Sequence, residues 1–366
     1  MKKEIASRIL LTLLLTSMLT LTYTIQPVKT EPTTIIVPDD YPTIQEAINA
    51  ANLGETIYVR AGIYYEHIVV YKTVRLIGGH QNNTIIDGSR TGTVVTISAG
   101  NVYIGGFTIQ NSGPTCPDRA ILVTETSRYN IITGNIITSN FGDGIYLQRS
   151  TQNIIRANTI ANNTAGIVLY DRCYGNTIYY NNFINNSYHQ RVYYSHSCWD
   201  NGYPLGGNYW SDYNGTDLYS GPYQNETGSD GIGDTPYTFT DLTTGATYKD
   251  TYPLMKPYAS RHDIAVINVT TTKMDVRGGD YFFDVNVTIK NLGDYIESFN
   301  VTSFFNSSEI GRQEIVAFEP DAERTLTFSW NVTAIEQGIY TIKAMADTVA
   351  YEENITNNEC IVAQSV

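Results

Sequence analysis

Between residues 130 and 186 the apolar and polar positions recur at a fixed interval. The stretches NIITGNIITSN (130–140), NIIRANTIANN (153–163) and NTIYYNNFINN (176–186) superpose with a step of 23 residues. Asn130, Asn153 and Asn176 form one row, Asn135, Asn158 and Asn181 a second, and Asn140, Asn163 and Asn186 a third. Apolar residues keep the same step: Ile132, Ile155 and Ile178, then Ile137, Ile160 and Phe183. A step of this size marks a solenoid, in which each repeat buries its apolar face against the next. The repeat is rich in Ile, Thr, Tyr and Asn, which favour strands over helices. Turns stacked at the strand spacing of ~4.8 Å place equivalent residues above one another. Inward Ile columns then build one core. Asn columns at the corners form amide ladders and tolerate the left-handed backbone of tight bends.

A second strand follows in each turn, at DGIYLQRS (143–150), AGIVLYDR (165–172) and QRVYYSHS (190–197). Gly144 and Gly166 open it, and Ile145, Ile167 and Val192 begin its core row. NVYIGGFTIQNS (101–112) reads as an earlier turn with Asn101 in the place of Asn130, the longer step arising from a loop inserted at 113–120. Upstream, TIQEAINAA predicts a short amphipathic helix with Ile44, Ala47, Ile48 and Ala51 on one face. Such a helix caps the open end of the solenoid. From about Asp263 the texture changes to clean alternation, as in YFFDVNVTIKN, ERTLTFSWNV and GIYTIKAMAD, which predicts a β-sandwich.

The N-terminal cap and first turns, TIIVPDDYPTIQEAINAANLGETIYVRAGIYYEHIVVYKTVRLIGGHQNNTIIDG, resemble those of pectin-lyase-like right-handed parallel β-helices. The Asn repeats resemble the NosD-type family, also described as carbohydrate-binding and sugar-hydrolase repeats. The segment GGNYWSDYNGTDLYSGPYQNETGSDGIGDTPYTF (206–239), closed by KDTYPLMKP, is similar to the end segment of many archaeal NosD-type proteins. There Trp210, Tyr209 and Tyr213 are expected to cover the last turn. VTIKNLGD, TLTFSW, GIYTIKAMAD and EENITNN resemble the CARDB family of adhesion-related Ig-like domains, in which they mark strands and turns. The expected fold is all-β: a right-handed parallel β-helix with an N-terminal capping helix, then an Ig-like β-sandwich. The expected boundaries are a signal peptide or anchor (1–30), the β-helix (31–200), a Tyr/Gly/Asp-rich end cap and linker (201–261) and the CARDB domain (262–366).

Composition narrows the function. A net charge of −13 argues against nucleic acid, whose phosphates need a basic face. Lys2, Lys3 and Arg8 precede an apolar run from Ile9 to about Leu21, the layout of a secretory signal or of an uncleaved anchor. Asn-x-Ser/Thr signals at Asn82, Asn214, Asn225, Asn268, Asn286, Asn300, Asn306, Asn331 and Asn354 suit a glycoprotein of the cell surface or exterior. Two more, at Asn162 and Asn185, fall inside the repeat and read as structural.

The chemical candidates are few. Asp212, Asp217, Asp230 and Asp234, set among glycines, read as structural calcium ligands or as turn residues. Cys173 and Cys198 each trail a core residue of the second strand by six, Ile167 and Val192, so they are expected in one column and joined by a disulfide. A copper or zinc site drawn from His196, Cys173 and Cys198 is the other reading; Cys116 and Cys360 stay unassigned. Tyr146, Tyr170, Tyr193 and Tyr194 are either stacking platforms for sugar rings or packing between turns. The paired aspartates of polygalacturonase-like hydrolases and of pectin methylesterases are missing, although Asp143, Asp171, Arg149 and Arg172 flank the second strand. The leading expectation is a non-catalytic surface glycoprotein that binds polysaccharide or surface glycan, or builds the surface, with the C-terminal domain meeting other surface proteins. A polysaccharide lyase, hydrolase or esterase acting in the groove is the alternative.

Overall fold

The computed structural model describes residues 34–272 and 275–365. The expected signal or anchor at 1–30 lies outside the described residues. Three parallel sheets run along the solenoid. The first has eight strands, from Thr34–Val37 to His196–Cys198; the second has six, from Ile68–Val70 to Tyr188–Tyr193; the third has seven, from Gly62–Tyr64 to Tyr209–Trp210.

The apolar columns fall where the repeat places them. Ile132, Ile155 and Ile178 are in register in the first sheet and wholly buried. Ile137, Ile160 and Phe183 are in register in the third, and Trp210 is the next step of that column. The helix Ile44–Ala50 closes the opposite end with Ile44, Ala47 and Ile48 buried. Thr43 caps it by accepting from Glu46 N–H, and the Glu66 carboxylate accepts from Ile44 and Gln45 N–H. A carboxylate there satisfies first-turn amides and complements the helix dipole.

The Asn rows are continuous hydrogen-bonded ladders. Asn135 donates its backbone N–H (3.1 Å) and side-chain amide (3.0 Å) to Asn158 Oδ1. Asn158 does the same to Asn181, and Asn181 to Asn208. The rows from Asn130 and Asn140 repeat the pattern. The left-handed backbone, expected at the ladder asparagines, falls one residue earlier: at Tyr129, Gly134 and Ser139, then Gln152, Ala157 and Asn162, then Gly175, Tyr180 and Asn185. Non-glycine residues in that conformation are held there by the ladder bonds of the residue that follows.

Two registers differ from expectation. Tyr103 pairs with Ile131, so Asn101 corresponds to Tyr129, the left-handed corner, and Val102 takes the ladder place, donating its N–H to Asn130 Oδ1. In the second sheet Ile145 pairs with Ile167 and Ile167 with Gln190, while Val192 pairs with Leu169. Val192 therefore extends the Leu147–Leu169 row. The inserted loop ends before the strand Arg119–Val123. A Cβ on Gly144 or Gly166 would come within 2.6 or 2.5 Å of a carbonyl oxygen in the next turn, which explains the glycine at that step.

The far end is sealed by aromatics. Phe183, Trp210 and Tyr237 stack at 4.4 Å centroid spacing, with Trp199 and Phe239 against them. Asp250, buried in this cap, accepts from Asn208 N–H (2.7 Å), the Asn208 side chain (3.2 Å) and Trp210 Nε1 (2.9 Å), so it terminates the Asn135 ladder.

The C-terminal domain is a sandwich of two four-stranded antiparallel sheets around Val285, Val287, Val301, Phe318, Trp330 and Ile342. It docks on the solenoid. Arg60 pairs with Glu314 at 2.8 Å and Arg75 with Glu319. Asn82 Nδ2 donates to the Tyr351 hydroxyl, and Gln81 Nε2 to the Tyr295 hydroxyl. Tyr258, in the segment leading to this domain, stacks on Tyr180 at 4.2 Å and exchanges hydrogen bonds with Asn182 of the third sheet.

Candidate functional site

The contacts with the C-terminal domain and its linker fall on the first sheet, the third sheet and the corner at 80–82. The outward face of the second sheet carries the candidate site. Strand alternation turns Ile145 and Leu147, then Ile167 and Leu169, into the core and presents Tyr146 and Tyr170 outward. Tyr146 and Tyr170 stack with centroids 6.0 Å apart, and Tyr170 and Tyr193 are 5.7 Å apart. Tyr170 is 43% exposed. Tyr194 stands at the corner after the strand, left-handed and exposed, and joins no ring contact among the described residues.

The Arg119 guanidinium lies 4.4 Å from the Tyr146 ring centre and pairs with Asp143 at 3.0 Å. Burial pushes the Asp143 carboxyl up, and Arg119 partly opposes this. At the opposite edge of the sheet Arg149 holds Asp171 at 2.6 Å and Glu125 at 3.1 Å. Asp143 lies level with Ala165, six residues before Asp171, a separation of about 20 Å at the strand rise. Carboxylate pairs that hydrolyse glycosides stand roughly 5 to 9.5 Å apart. Asp143 and Asp171 are not such a pair.

The tyrosine row ends in a cleft of about 670 Å³ between the last strand of the second sheet and the hairpin Tyr237–Thr240/Thr247–Asp250. Tyr188, His189, Arg191, Tyr193, Asp212, Tyr237, Phe239 and Leu242 line it. His189 Nε2 lies 3.3 Å from Asp212 and 3.2 Å from Ser211 Oγ; the Tyr237 hydroxyl donates to Asp212 at 3.2 Å. Burial lowers the His189 pKa, against the pull of Asp212, and raises that of Tyr237. Among the described residues Asp212 is the single carboxylate lining this cleft. The aromatic content of the second strand signalled the tyrosine row; nothing in the repeat pointed to the hairpin that closes it.

The other sequence candidates are dispersed. Asp234 accepts from Leu218 and Tyr219 N–H, Asp217 from Asp230 and Gly231 N–H, and Asp230 from Ile232 N–H. Asp212 is engaged in the cleft and the other three tie turns; among the described residues they form no group of three that could hold a metal ion. Cys173 and Cys198 are not bonded to each other. Cys198 pairs in register with Thr177 and is exposed, whereas buried Cys173 donates its N–H to Ser195 Oγ. The expected column failed because Val192 extends the Leu169 row, two residues out of step. Cys116 is exposed in the inserted loop, and Cys360 is half-buried on the last strand of the sandwich. Alkylation in denaturant without reductant is therefore expected to label all four cysteines. A mass two labels short would reveal a disulfide that this structure lacks. Of the glycosylation signals, Asn214, Asn225, Asn268, Asn306, Asn331 and Asn354 are exposed, and Asn286 and Asn300 are half-buried in strands. Asn82, though exposed, contacts Tyr351 across the domain junction. Asn162 and Asn185 are exposed left-handed corners.

A sequence profile described as "Periplasmic copper-binding protein (NosD)" matches residues 30–215, just over half of the chain. The chain belongs to the NosD family. The CARDB profile matches residues 261–362, so a CARDB domain follows the NosD solenoid. A curated relative from Arabidopsis thaliana, named probable pectinesterase/pectinesterase inhibitor 6, is 31% identical over 130 residues, covering 31% of this chain and 23% of that protein. The chain thus spans about a quarter of the length of the relative it matches. A solved CARDB domain from Pyrococcus furiosus, in complex with di-metal ions, is 28% identical, with 29% of this chain and 88% of that chain covered and a TM-score of 0.24. Tailspike protein 2 of the Escherichia coli O157:H7 bacteriophage CAB120 matches over 84% of this chain and 50% of its own, at 10% identity and a TM-score of 0.24.

The copper in the NosD description does not fit these residues. Among the described residues no three His, Cys, Asp or Glu side chains are grouped to hold a metal ion. Cys173 Sγ faces the Leu147 and Tyr170 carbonyls inside the core, while His196 and Cys198 are exposed on the edge strand.

Proposed function

We propose that this chain acts outside the cytoplasm as a non-catalytic glycan-binding protein. Its contact surface is the outward face of the second sheet, and its CARDB domain serves contact with other surface proteins. The observation that carries this reading is the tyrosine row, one ring per turn, leading into the cleft on the face that the CARDB domain does not cover. Rings at this spacing offer successive apolar platforms to the faces of successive sugars, with planar polar groups at the sides to take hydroxyls. The wide separation of Asp143 from Asp171 favours retention over hydrolysis. The periplasmic description of the family and the pectinesterase relative support a carbohydrate-related role.

Tyr170→Ala, at the centre of the row, is expected to weaken polysaccharide retention by roughly fivefold, the worth of one aromatic contact. Asp171→Ala should leave retention unchanged. Affinity electrophoresis against a polysaccharide panel measures both. Equal retention by wild type and Tyr170→Ala would remove the row from the binding surface.

A further inference from the structure

The cleft has two features that a tyrosine row alone does not require. The first is a wall. Tyr170 and Tyr193 are level on neighbouring strands and Tyr146 stands two residues diagonal to Tyr170, so the rings run across the strands. At the last strand Leu242 N–H donates to the Val192 carbonyl at 2.8 Å, and Ser195 N–H to Asp241 Oδ2 at 3.3 Å. Asp241 also accepts from Thr243 and Thr244 N–H, which fixes the turn. Tyr237, Phe239 and Leu242 thereby line the same cleft as Tyr193. A polymer lying on the row must leave the surface at this wall, whereas a chain end can stop against it.

The second feature is a cation that, among the described residues, has no contact ion pair: the Asp143 carboxyl feels the Arg191 charge but is held by Arg119. On this face Arg119 is held by Asp143, and Arg149 and Arg172 both lie beside Asp171. Arg191 lines the cleft with its guanidinium 4.0 Å from the Tyr188 ring centre. Among the described residues no carboxylate lies within ion-pair distance of Arg191. Asp212, in the same cleft, is engaged by Tyr237 and His189. A stacked guanidinium presents a planar fork that matches a carboxylate. In a chain of net charge −13 such a group attracts an anion at one place on a protein that otherwise repels it.

We propose that the cleft binds the end of an acidic glycan chain, with Arg191 pairing with a ring carboxylate and the tyrosine row carrying the sugars behind it. This rests on the glycan-binding reading above and adds the charge and the polarity of the chain.

Short oligogalacturonates test it, because methyl esterification removes their charge and leaves the rings. Calorimetric titration should give wild type a preference of about tenfold or more for the free acid over the ester, the scale of one charge-assisted bond. Arg191→Gln should bind both forms alike, at the ester's affinity, and Arg191→Lys should restore part of the preference. Tyr170→Ala should weaken both forms together. At equal sugar mass, long polygalacturonate should compete less well than the oligomers, in proportion to its fewer ends. Equal affinity of wild type for acid and ester would overturn the role of Arg191 and leave glycan binding intact. Equal competition by the long polymer would overturn the chain-end reading alone. Binding of neither form, with other glycans retained through Tyr170, would overturn this inference as a whole. No retention of any glycan would remove the reading beneath it.

Discussion

Replacing Asn158 with Ala is expected to destabilise the solenoid by about 3 to 5 kcal/mol, far more than a surface asparagine is worth. The Asn158 amide donates to the carbonyls of Ile132 and Arg156 and to Asn181 Oδ1, each at 2.9 Å. Its oxygen accepts two N–H groups of Asn135. All of this lies inside the corner, where no water can take over, so truncation orphans donors and acceptors together. It also frees the left-handed Ala157 from the bonds that hold it. Asn158→Asp should be worse at neutral pH, because a carboxylate would face two carbonyls, and should recover partly as acid neutralises it. Asn162→Ala, at an exposed corner, serves as the control and should change stability by less than about 1 kcal/mol. Urea denaturation followed by circular dichroism reads all three. A loss no larger for Asn158→Ala than for Asn162→Ala would mean that the ladder does not support the fold.

The second large effect is expected at Asp250. Burial pushes its carboxyl up to about 7 from 3.8, although N–H groups of Asn208, Trp210 and Tyr252 favour the ionised form. Between about pH 4 and pH 7 the folded state binds the proton and the unfolded state does not. The carboxyl's contribution to stability is therefore full below pH 4 and declines as pH rises through 7, by on the order of 4 kcal/mol in all. Asp250→Asn keeps an acceptor for Asn208 and Trp210 without the charge. It should match wild type near pH 4 and be the more stable near pH 8. Asp250→Ala leaves buried donors unpaired and should lose on the order of 3 kcal/mol near pH 4, a deficit that shrinks toward pH 8 as wild type itself loses the carboxyl's contribution. Denaturation midpoints across this range measure the crossover. A wild-type minus Asp250→Asn difference that does not change with pH would place the titration elsewhere.

The parts of this molecule that repeat were legible in the sequence, and the parts that terminate repetition were not. A step of 23 residues is enough to assign Ile132, Ile155 and Ile178 to one buried column, because a solenoid has one neighbour relation per turn. The same logic failed once the step changed. Asn208 continues the Asn181 ladder at an interval of 27, and Asp250, which ends it, comes from a hairpin 42 residues further on. In the second sheet the final strand keeps the 23-residue step, Leu169 to Val192; setting Val192 level with Ile167 instead put it two residues out, which keeps the inward and outward faces right but misplaces Cys198. Three of the four tyrosines were legible as a surface row from strand alternation. The cleft at its end was not, since it needs the fold of 237–242 against 188–193. The docking of the CARDB domain, through Arg60, Arg75 and Tyr295, leaves no mark in either domain's own pattern.

The central claim is that the open face of the second sheet holds glycan without cleaving it. The most direct measurement incubates the purified protein with a panel of insoluble and soluble polysaccharides and records bound protein and released product together. Retention on at least one polysaccharide is expected, weakened by Tyr170→Ala, with no soluble oligosaccharide, no unsaturated chain ends and no released methanol. Product that accumulates with time and disappears in Asp143→Ala or Asp171→Ala would contradict it and make this face an active site.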